Sequence, residues 1–235
     1  GKPLIKPIYA AVDAQNCTRY FKSLEYSEEL QITPDITVRF QDAGHILGSS
    51  MIELWIKDGF EKYKIVFSGD VGNIDQPIIN NPTYITEADY VVMESTYGNR
   101  LHLENSLSKL DQLSLAIKES LGRGGNLIIP AFAIERTQDL LYNLNLLVQK
   151  KEVLPEQIYV DSPLAIQATE IFCENTSYYD EEAKEFINDN TCPLMLPGFQ
   201  FTRTSEESME LNKIKSGAII ISASGMCDAG RIKHH

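Results

Sequence analysis

The stretch Phe67-Ser68-Gly69-Asp70-Val71-Gly72 decides how this sequence is interpreted, because it places one carboxylate at the end of a predicted strand. The apolar run Ile65-Val66-Phe67 stops at a small residue, a glycine and Asp70. Earlier in the chain, residues 42–50 read DAGHILGSS and place His45 in a similar glycine-containing turn. A histidine and an aspartate are ligands that zinc accepts. The sequence therefore predicts a metal site at the end of two strands.

A third acidic residue follows a third predicted strand. Residues 88–93 read ADYVVM, a pattern that predicts a buried strand ending at Glu94. The upstream strands are predicted, with a hairpin turn at Asp58-Gly59, over residues 31–33, 36–40, 50–56 and 63–67. Because sheets of α/β proteins gather ligands at strand ends, we expect His45, Asp70 and Glu94 to share one site.

After Glu94 the sequence alternates between helix and strand patterns. Helices are predicted over residues 106–121, 135–148 and 164–172, and short buried strands over residues 126–130, 158–160 and 217–222. This alternation is typical of a small parallel sheet wrapped by helices. We therefore predict an α/β fold with two domains, residues 1–95 and 96–235. A surface helix is predicted over residues 10–24 and a loop over residues 73–86.

The composition is that of an ordinary soluble protein of 235 residues, with 43% hydrophobic residues and a formal net charge of −12. No apolar run is long enough to cross a membrane and the first residues lack a signal-peptide pattern, so we expect no membrane association and a cytoplasmic location. The acidic charge argues against a broad basic surface for nucleic acids. A bound metal and a few arginines would have to attract any polyanion.

The cysteine pattern favours free thiols. The chain has four cysteines, which are widely separated and contain no CxxC pair. This argues against a disulfide framework and against a cysteine zinc site. We expect all four to be reduced.

Each candidate residue also has a structural interpretation. A histidine beside glycine is often structural, and Asp70 could be a turn residue or a helix N-cap. The three residues after Glu94 could hydrogen-bond phosphate oxygens or form a turn, namely Ser95, Thr96 and Tyr97.

Two stretches of the second half are candidates for phosphate contacts. Arg136 lies at a predicted helix start, where it could bind a phosphate, remain solvated or pair with Glu135. Ser224 and Arg231 lie in a glycine-rich stretch that follows the last strand and has the composition of an anion-binding nest. Asp161-Ser162-Pro163 is most simply a helix cap.

Six stretches together resemble one family of hydrolases. DAGHILGSS, FSGDVG and MESTYGNR are similar to the third and fourth metal motifs of the metallo-β-lactamase fold and the first motif of its β-CASP branch of nucleic-acid hydrolases. PAFAIERTQDLLY, YVDSPLAIQATEIF and SASGMCDAGRIKHH resemble further stretches of that branch. The similarity is greatest to RNA-processing members related to the polyadenylation endonuclease and its bacterial and archaeal relatives.

The resemblance implies a fold and a chemistry. The first half would be part of a metallo-β-lactamase αββα sandwich, joined to an incomplete β-CASP domain. His45 would bind one metal, Asp70 would bridge two Zn²⁺ ions, and Glu94 would orient a ligand or assist proton transfer. The implied reaction is hydrolysis of RNA by a metal-bound hydroxide, in an endonuclease or a 5′-exonuclease that could form a homodimer.

The sequence also departs from the family pattern. The HxHxDH motif that supplies most metal ligands in the family is absent, as are two later histidine motifs. The other histidines are His102, His234 and His235. Because a catalytic zinc needs about three protein ligands, we expect this chain to be an internal piece that binds metal weakly or not at all and is inactive alone. A catalytically silent scaffold subunit, or a hydrolase of DNA or of a small ester, remains an alternative.

Overall fold

The part of the protein that its computed structural model describes is an α/β molecule with two separate sheets. This confirms the predicted α/β class. The structure describes residues 7–101, 106–153, 155, 157–187, 192–195 and 198–235.

The first sheet has five strands that are neighbours in chain order, β1 to β5. They span Glu29–Thr33, Ile36–Asp42, Ser50–Asp58, Glu61–Phe67 and Tyr90–Val92. All pairs are antiparallel except β4 and β5, which are parallel. The strands predicted in this part of the chain are therefore confirmed, including the hairpin between β3 and β4. The helix predicted over residues 10–24 is shorter in the structure. Helix α1 covers only Ala11–Cys17, and none of its residues is buried.

Strand β5 differs from the prediction, which had residues 88–93 as a buried strand. The side chains of Tyr90, Val91 and Val92 are all more than half exposed. The cause is position rather than composition: β5 lies at the edge of the sheet and pairs only with β4 among the described strands. An apolar run cannot by itself distinguish a covered strand from an uncovered one.

A buried carboxylate links the three central strands of this sheet. Glu53 on β3 has a side chain that is 1% exposed, and it lies 2.6 Å from Arg39 Nε on β2 and 2.7 Å from Lys64 Nζ on β4. Gln41 Nε2 donates a further hydrogen bond to Glu53 Oε2. Burial alone would raise the pKa of Glu53, but the hydrogen bonds from Arg39, Lys64 and Gln41 outweigh it and lower that pKa to about 2.

Replacing Glu53 with alanine is expected to lower the free energy of unfolding by about 3 kcal/mol, because Arg39 and Lys64 would lose their shared partner. The wild-type stabilisation should be complete above the ordinary carboxyl pKa of 4.5 and should be lost as the pH falls towards about 2. Urea unfolding of both proteins between pH 2 and 7 tests this. Glu87→Ala, a change at an exposed carboxylate, is the control; equal losses for the two variants would contradict the prediction.

The second sheet is fully parallel, as predicted. Its strands are β6 to β9, spanning Leu127–Pro130, Gln157–Asp161, Phe199–Phe201 and Ala218–Ser222, in the spatial order β6-β9-β7-β8. Strand β9 is buried on both sides because it lies inside the sheet, whereas β6 alternates between half-buried and exposed residues because it lies at the edge. Strand β8 was not predicted, because its three residues are too few to show a strand pattern.

Helices surround this second sheet. They are α2 to α6, spanning Lys109–Gly122, Arg136–Gln149, Pro163–Glu174, Glu181–Glu185 and Ser205–Leu211. The main core lies between α3, α4 and one side of the sheet, and includes Leu141, Leu144, Phe172, Ile219 and Ile221. Within the described residues, no helix is both long and apolar enough to cross a membrane.

The two halves of the chain are in contact. Leu47 and Ile78 of the first half pack into the core of the second sheet. Residues 73–86 form an irregular connection, as predicted, and the backbone of Ile79 pairs with that of Tyr179. The connection between β4 and β5 is therefore anchored on the second half of the chain.

The expectation of four reduced thiols is wrong. Cys173 at the end of α4 and Cys192 form a disulfide, with their Cα atoms 5.4 Å apart. Cys17 and Cys227 are free and exposed. Spacing along the chain could not reveal this pair, because the two cysteines are 19 positions apart and only the fold brings their side chains together.

Candidate functional site

The carboxyl ends of three strands of the first sheet are each followed by a histidine or an acidic residue. Strand β3 is antiparallel to both β2 and β4, so β2 and β4 run in the same direction, and β5 is parallel to β4. The carboxyl ends of β2, β4 and β5 therefore lie at the same edge. His45, Asp70 and Glu94 follow these three ends, so the structure brings the three predicted residues to one side of the molecule.

The histidine turn, residues 43–49, is held by its own hydrogen bonds. Ala43 N–H donates to the carbonyl of Ser49, and Ser49 Oγ accepts from His45 N–H at 3.1 Å and from Ile46 N–H at 3.2 Å. Gly44 has φ of +59° and lies against Pro82, where a Cβ atom would approach within 2.6 Å. The turn therefore needs glycine there, and it presents His45 to solvent.

The turn that carries Asp70 packs directly on the histidine turn. Gly72 N–H donates to the carbonyl of Ala43 at 2.8 Å. A Cβ atom on Gly72 would lie 1.5 Å from the carbonyl oxygen of Gly44, so only glycine allows this approach. The glycines of DAGHILGSS and FSGDVG thus bring the two turns together, and Asp70 is exposed beside them.

Glu94 is tied to the same turns. Its Oε1 accepts from Val71 N–H at 2.9 Å, and its own N–H donates to Ser68 Oγ at 3.0 Å. Hydrogen bonds from Thr96 and Val71, together with the nearby His45, lower the pKa of Glu94. Glu94 is therefore ionised at neutral pH beside the turns that carry His45 and Asp70.

These residues have the donor chemistry of a zinc site but not the number of donors. One imidazole and one carboxylate are typical zinc ligands, and Glu94 adds a second carboxylate near them. Among the described residues, no group of three or more His, Cys, Asp or Glu side chains is arranged to hold a metal ion. The described residues therefore do not form a complete zinc site by themselves.

The residues after Glu94 stay close to the strand end. Ser95, Thr96 and Tyr97 are all exposed, and the guanidinium of Arg100 lies 4.9 Å from the centre of the Tyr97 ring. Arg136, at the start of α3, is also exposed, and its Nη1 lies 3.6 Å from Asp139 Oδ2.

The glycine-rich stretch after β9 is engaged within the protein. Ser224 Oγ donates to Asp228 at 2.7 Å. Arg231 donates to Asp161 at 2.8 Å and also to the carbonyls of Thr202 and Arg203. His102 lies outside the described residues.

Two carboxyl groups near the strand ends were not predicted from the sequence. Asp161 is fully buried at the end of β7 and does not cap α4; that role belongs to Ser162, whose Oγ accepts from Ala165 N–H. The signal that singled out Asp70, an acidic residue at the end of an apolar strand, is also present at Asp161. The second is Glu135, whose Oε2 accepts from Leu47 N–H in the histidine turn at 3.2 Å. No pattern in the sequence links these two residues.

Comparison with known proteins identifies the second half of the chain. Residues 137–235 match the family model of the Beta-Casp domain. The chain is 30% identical over 234 residues to Ribonuclease TTHA0252 of Thermus thermophilus, covering 100% of this chain and 52% of that protein. It is 33% identical over 226 residues to the RNase J-like protein of Methanocaldococcus jannaschii, covering 95% and 51% of the two chains.

A third relative is named for a different role. The chain is 28% identical over 218 residues to the transcription termination factor FttA of Methanosarcina mazei, covering 90% of this chain and 33% of that protein. The chain spans about half the length of the two ribonuclease-named relatives. The chain is therefore similar to a Beta-Casp domain over residues 137–235 and, over 90–100% of its length, to these three relatives.

Proposed function

We propose that this chain is part of a zinc-dependent phosphodiester hydrolase that cleaves RNA. The observation that carries the proposal is the convergence of His45, Asp70 and Glu94 at one sheet edge. The histidine turn at that edge is linked to the second half of the chain by the hydrogen bond from Leu47 N–H to Glu135. The names Ribonuclease and RNase J-like of two relatives support RNA as the substrate.

The metal site is proposed to be shared with residues outside this sequence. His45 would bind one zinc ion and Asp70 would bridge two, with Glu94 holding the Asp70 turn through Val71 N–H. Because these ligands are too few to hold zinc, the 235-residue chain is proposed to be inactive by itself. The family resemblance supports a homodimer.

Substrate contacts are proposed for exposed residues near this edge. Ser95, Thr96 and Tyr97 adjoin Glu94, and Arg136 begins α3 next to Glu135. Arg136 carries the positive charge that a phosphate requires in a chain of net charge −12. Ser224 and Arg231 are weaker candidates, since both already bind within the protein.

Metal removal tests the proposal. The longest chain encoded by the parent reading frame is expected to cleave single-stranded RNA, to lose at least about a thousandfold in rate on chelation, and to recover on addition of Zn²⁺. The 235-residue chain should not cleave under the same conditions. Undiminished cleavage after chelation would contradict the metal dependence.

The same assay separates the alternatives. Cleavage of single-stranded DNA and of a small phosphodiester is measured beside cleavage of single-stranded RNA. Binding of the RNA is measured in parallel. Faster cleavage of DNA or of the small ester would reassign the substrate. RNA binding without cleavage in the metal-loaded protein would favour the scaffold subunit.

A further inference from the structure

Glu135 makes an unusual contact between the two halves of the chain. It immediately precedes α3, yet its side chain makes no capping hydrogen bond to that helix. Instead its Oε2 accepts from Leu47 N–H at 3.2 Å. The Leu47 side chain packs into the core of the second sheet, so the same residue is held by both its backbone and its side chain.

The backbone of Glu135 is in a conformation that residues with a Cβ atom rarely adopt. Its φ is 65° and its ψ is −61°, and Arg136 N–H donates to the carbonyl of Ile134 at 2.9 Å. This is the γ-turn with positive φ, which is strained for any residue but glycine. Strained backbone persists where surrounding contacts hold it and is concentrated at functional sites. In this protein the strained residue is Glu135, and the contact that it makes is the hydrogen bond from Leu47 N–H.

The side chain of Glu135 is in a dry environment. Its Oε1 is buried and has no hydrogen-bond partner among the described residues. Burial and the negative charge of Asp139, which together outweigh the bond from Leu47 and the charge of Arg136, raise the pKa of Glu135 to about 8. Tyr179, which lies outside α3, is also close to this carboxyl group: burial and then the charge of Glu135 raise the pKa of Tyr179. At neutral pH the group is therefore mainly a neutral carboxylic acid, which accepts a hydrogen bond from Leu47 N–H and lies within hydrogen-bonding reach of the Asp139 side chain.

We propose that Glu135 is a positioning residue for the histidine turn: its carboxyl group fastens the backbone of Leu47 to the start of α3 and thereby fixes how the first half presents His45 to the Beta-Casp half. The contact is independent of the proposed function, whereas its consequence for RNA cleavage rests on that function. Glu135 acts through the turn and is not itself assigned a contact with substrate or metal.

Four single substitutions in the 235-residue chain test the contact. Glu135→Ala removes the carboxyl group and leaves the strained backbone, while Glu135→Gly removes the carboxyl group and relieves the strain. Glu135→Gln keeps a neutral acceptor of the same shape. Lys151→Gly is the matched control, because Lys151 also has positive φ, 56°, but lies at the far end of α3.

The measurements are the exchange rate of the Leu47 amide by NMR and the melting temperature. Leu47 exchange should become about tenfold faster in Glu135→Ala and in Glu135→Gly, and should be close to wild type in Glu135→Gln and Lys151→Gly. Glu135→Gly should melt about 2–4 °C above Glu135→Ala, because only it relieves the strain. If Glu135→Ala and Glu135→Gly lose the same protection at Leu47 although they differ in melting temperature, the loss comes from the missing carboxyl group and not from general unfolding.

Unchanged Leu47 exchange in both Glu135→Ala and Glu135→Gly would overturn the proposal. So would faster exchange in Lys151→Gly, since that would trace the effect to α3 as a whole. In the longest parent chain, Glu135→Gly should lower kcat for RNA cleavage about tenfold with little change in KM. Glu135→Gln should keep a kcat close to that of the wild type. A wild-type parent chain without cleavage would contradict the proposed function but would leave the Leu47 result to decide the role of Glu135.

Discussion

Asp161→Ala is expected to lower the free energy of unfolding by about 3–5 kcal/mol, the largest loss of stability among the changes considered. Asp161 is fully buried at the end of β7. Its carboxylate accepts four hydrogen bonds, from Thr202, Ser208, Arg231 and His235. Alanine would leave the guanidinium of Arg231 and the polar groups around it without their shared acceptor, which is the costly outcome for buried polar groups.

Chemical unfolding followed by circular dichroism measures this loss. Glu210→Ala, which breaks an exposed ion pair with Lys213, is the control and should cost about 0.5 kcal/mol or less. Asp161→Asn should lie between wild type and Asp161→Ala, because an amide keeps one acceptor oxygen. A loss from Asp161→Ala as small as that of Glu210→Ala would show that the network contributes little.

The same carboxylate predicts a dependence on pH. Burial alone would raise the pKa of Asp161, but the hydrogen bonds from its four partners outweigh burial and lower it. The folded state therefore binds fewer protons than the unfolded state near the ordinary carboxyl pKa of about 4. The stabilisation should be complete above that pH and should decline as the pH falls below it. In Asp161→Ala this part of the acid dependence should be missing.

Asp70→Ala is expected to abolish RNA cleavage by the longest parent chain, with a loss of at least about a thousandfold in kcat/KM. Asp70 is the proposed metal bridge, and it is exposed beside the histidine turn. Since its side chain is not part of a core, the melting temperature should change by no more than about 2 °C. Activity and stability are measured on the same preparation.

Asp58→Ala is the matched control for this change. Asp58 is also exposed, but it ends β3 and therefore lies at the opposite edge of the same sheet. It should retain activity. Near-normal cleavage by Asp70→Ala would assign Asp70 to turn formation instead, which is the structural alternative that its Ser-Gly-Asp context leaves open.

Patterns along the chain predicted most of the fold. Periodicity placed the hairpin of β3 and β4 and the alternating helices and strands of the second half, because each element buries one side and shows this in its own residues. It failed at β5, whose apolar residues are exposed at a sheet edge. It also failed for Cys173 and Cys192, which only the folded chain brings together.

The candidate site divides in the same way. His45, Asp70 and Glu94 were predictable because each follows an apolar strand, and strands running in one direction end at one edge. Asp161 carries the same local signal, yet its partners include Arg231 and His235 at the end of the chain. Burial and partners, rather than the residue and its neighbours in sequence, separate the two aspartates.

The sequence by itself determined the α/β class, the turns that carry His45 and Asp70, and the similarity to the β-CASP family, because strand patterns, glycine positions and motifs are local. Only the tertiary structure decided which carboxyl groups are exposed for chemistry and which are buried for stability. It also decided that Glu135 reaches Leu47 across 88 positions. Burial and hydrogen bonding depend on what surrounds a side chain, and that environment comes from distant parts of the chain.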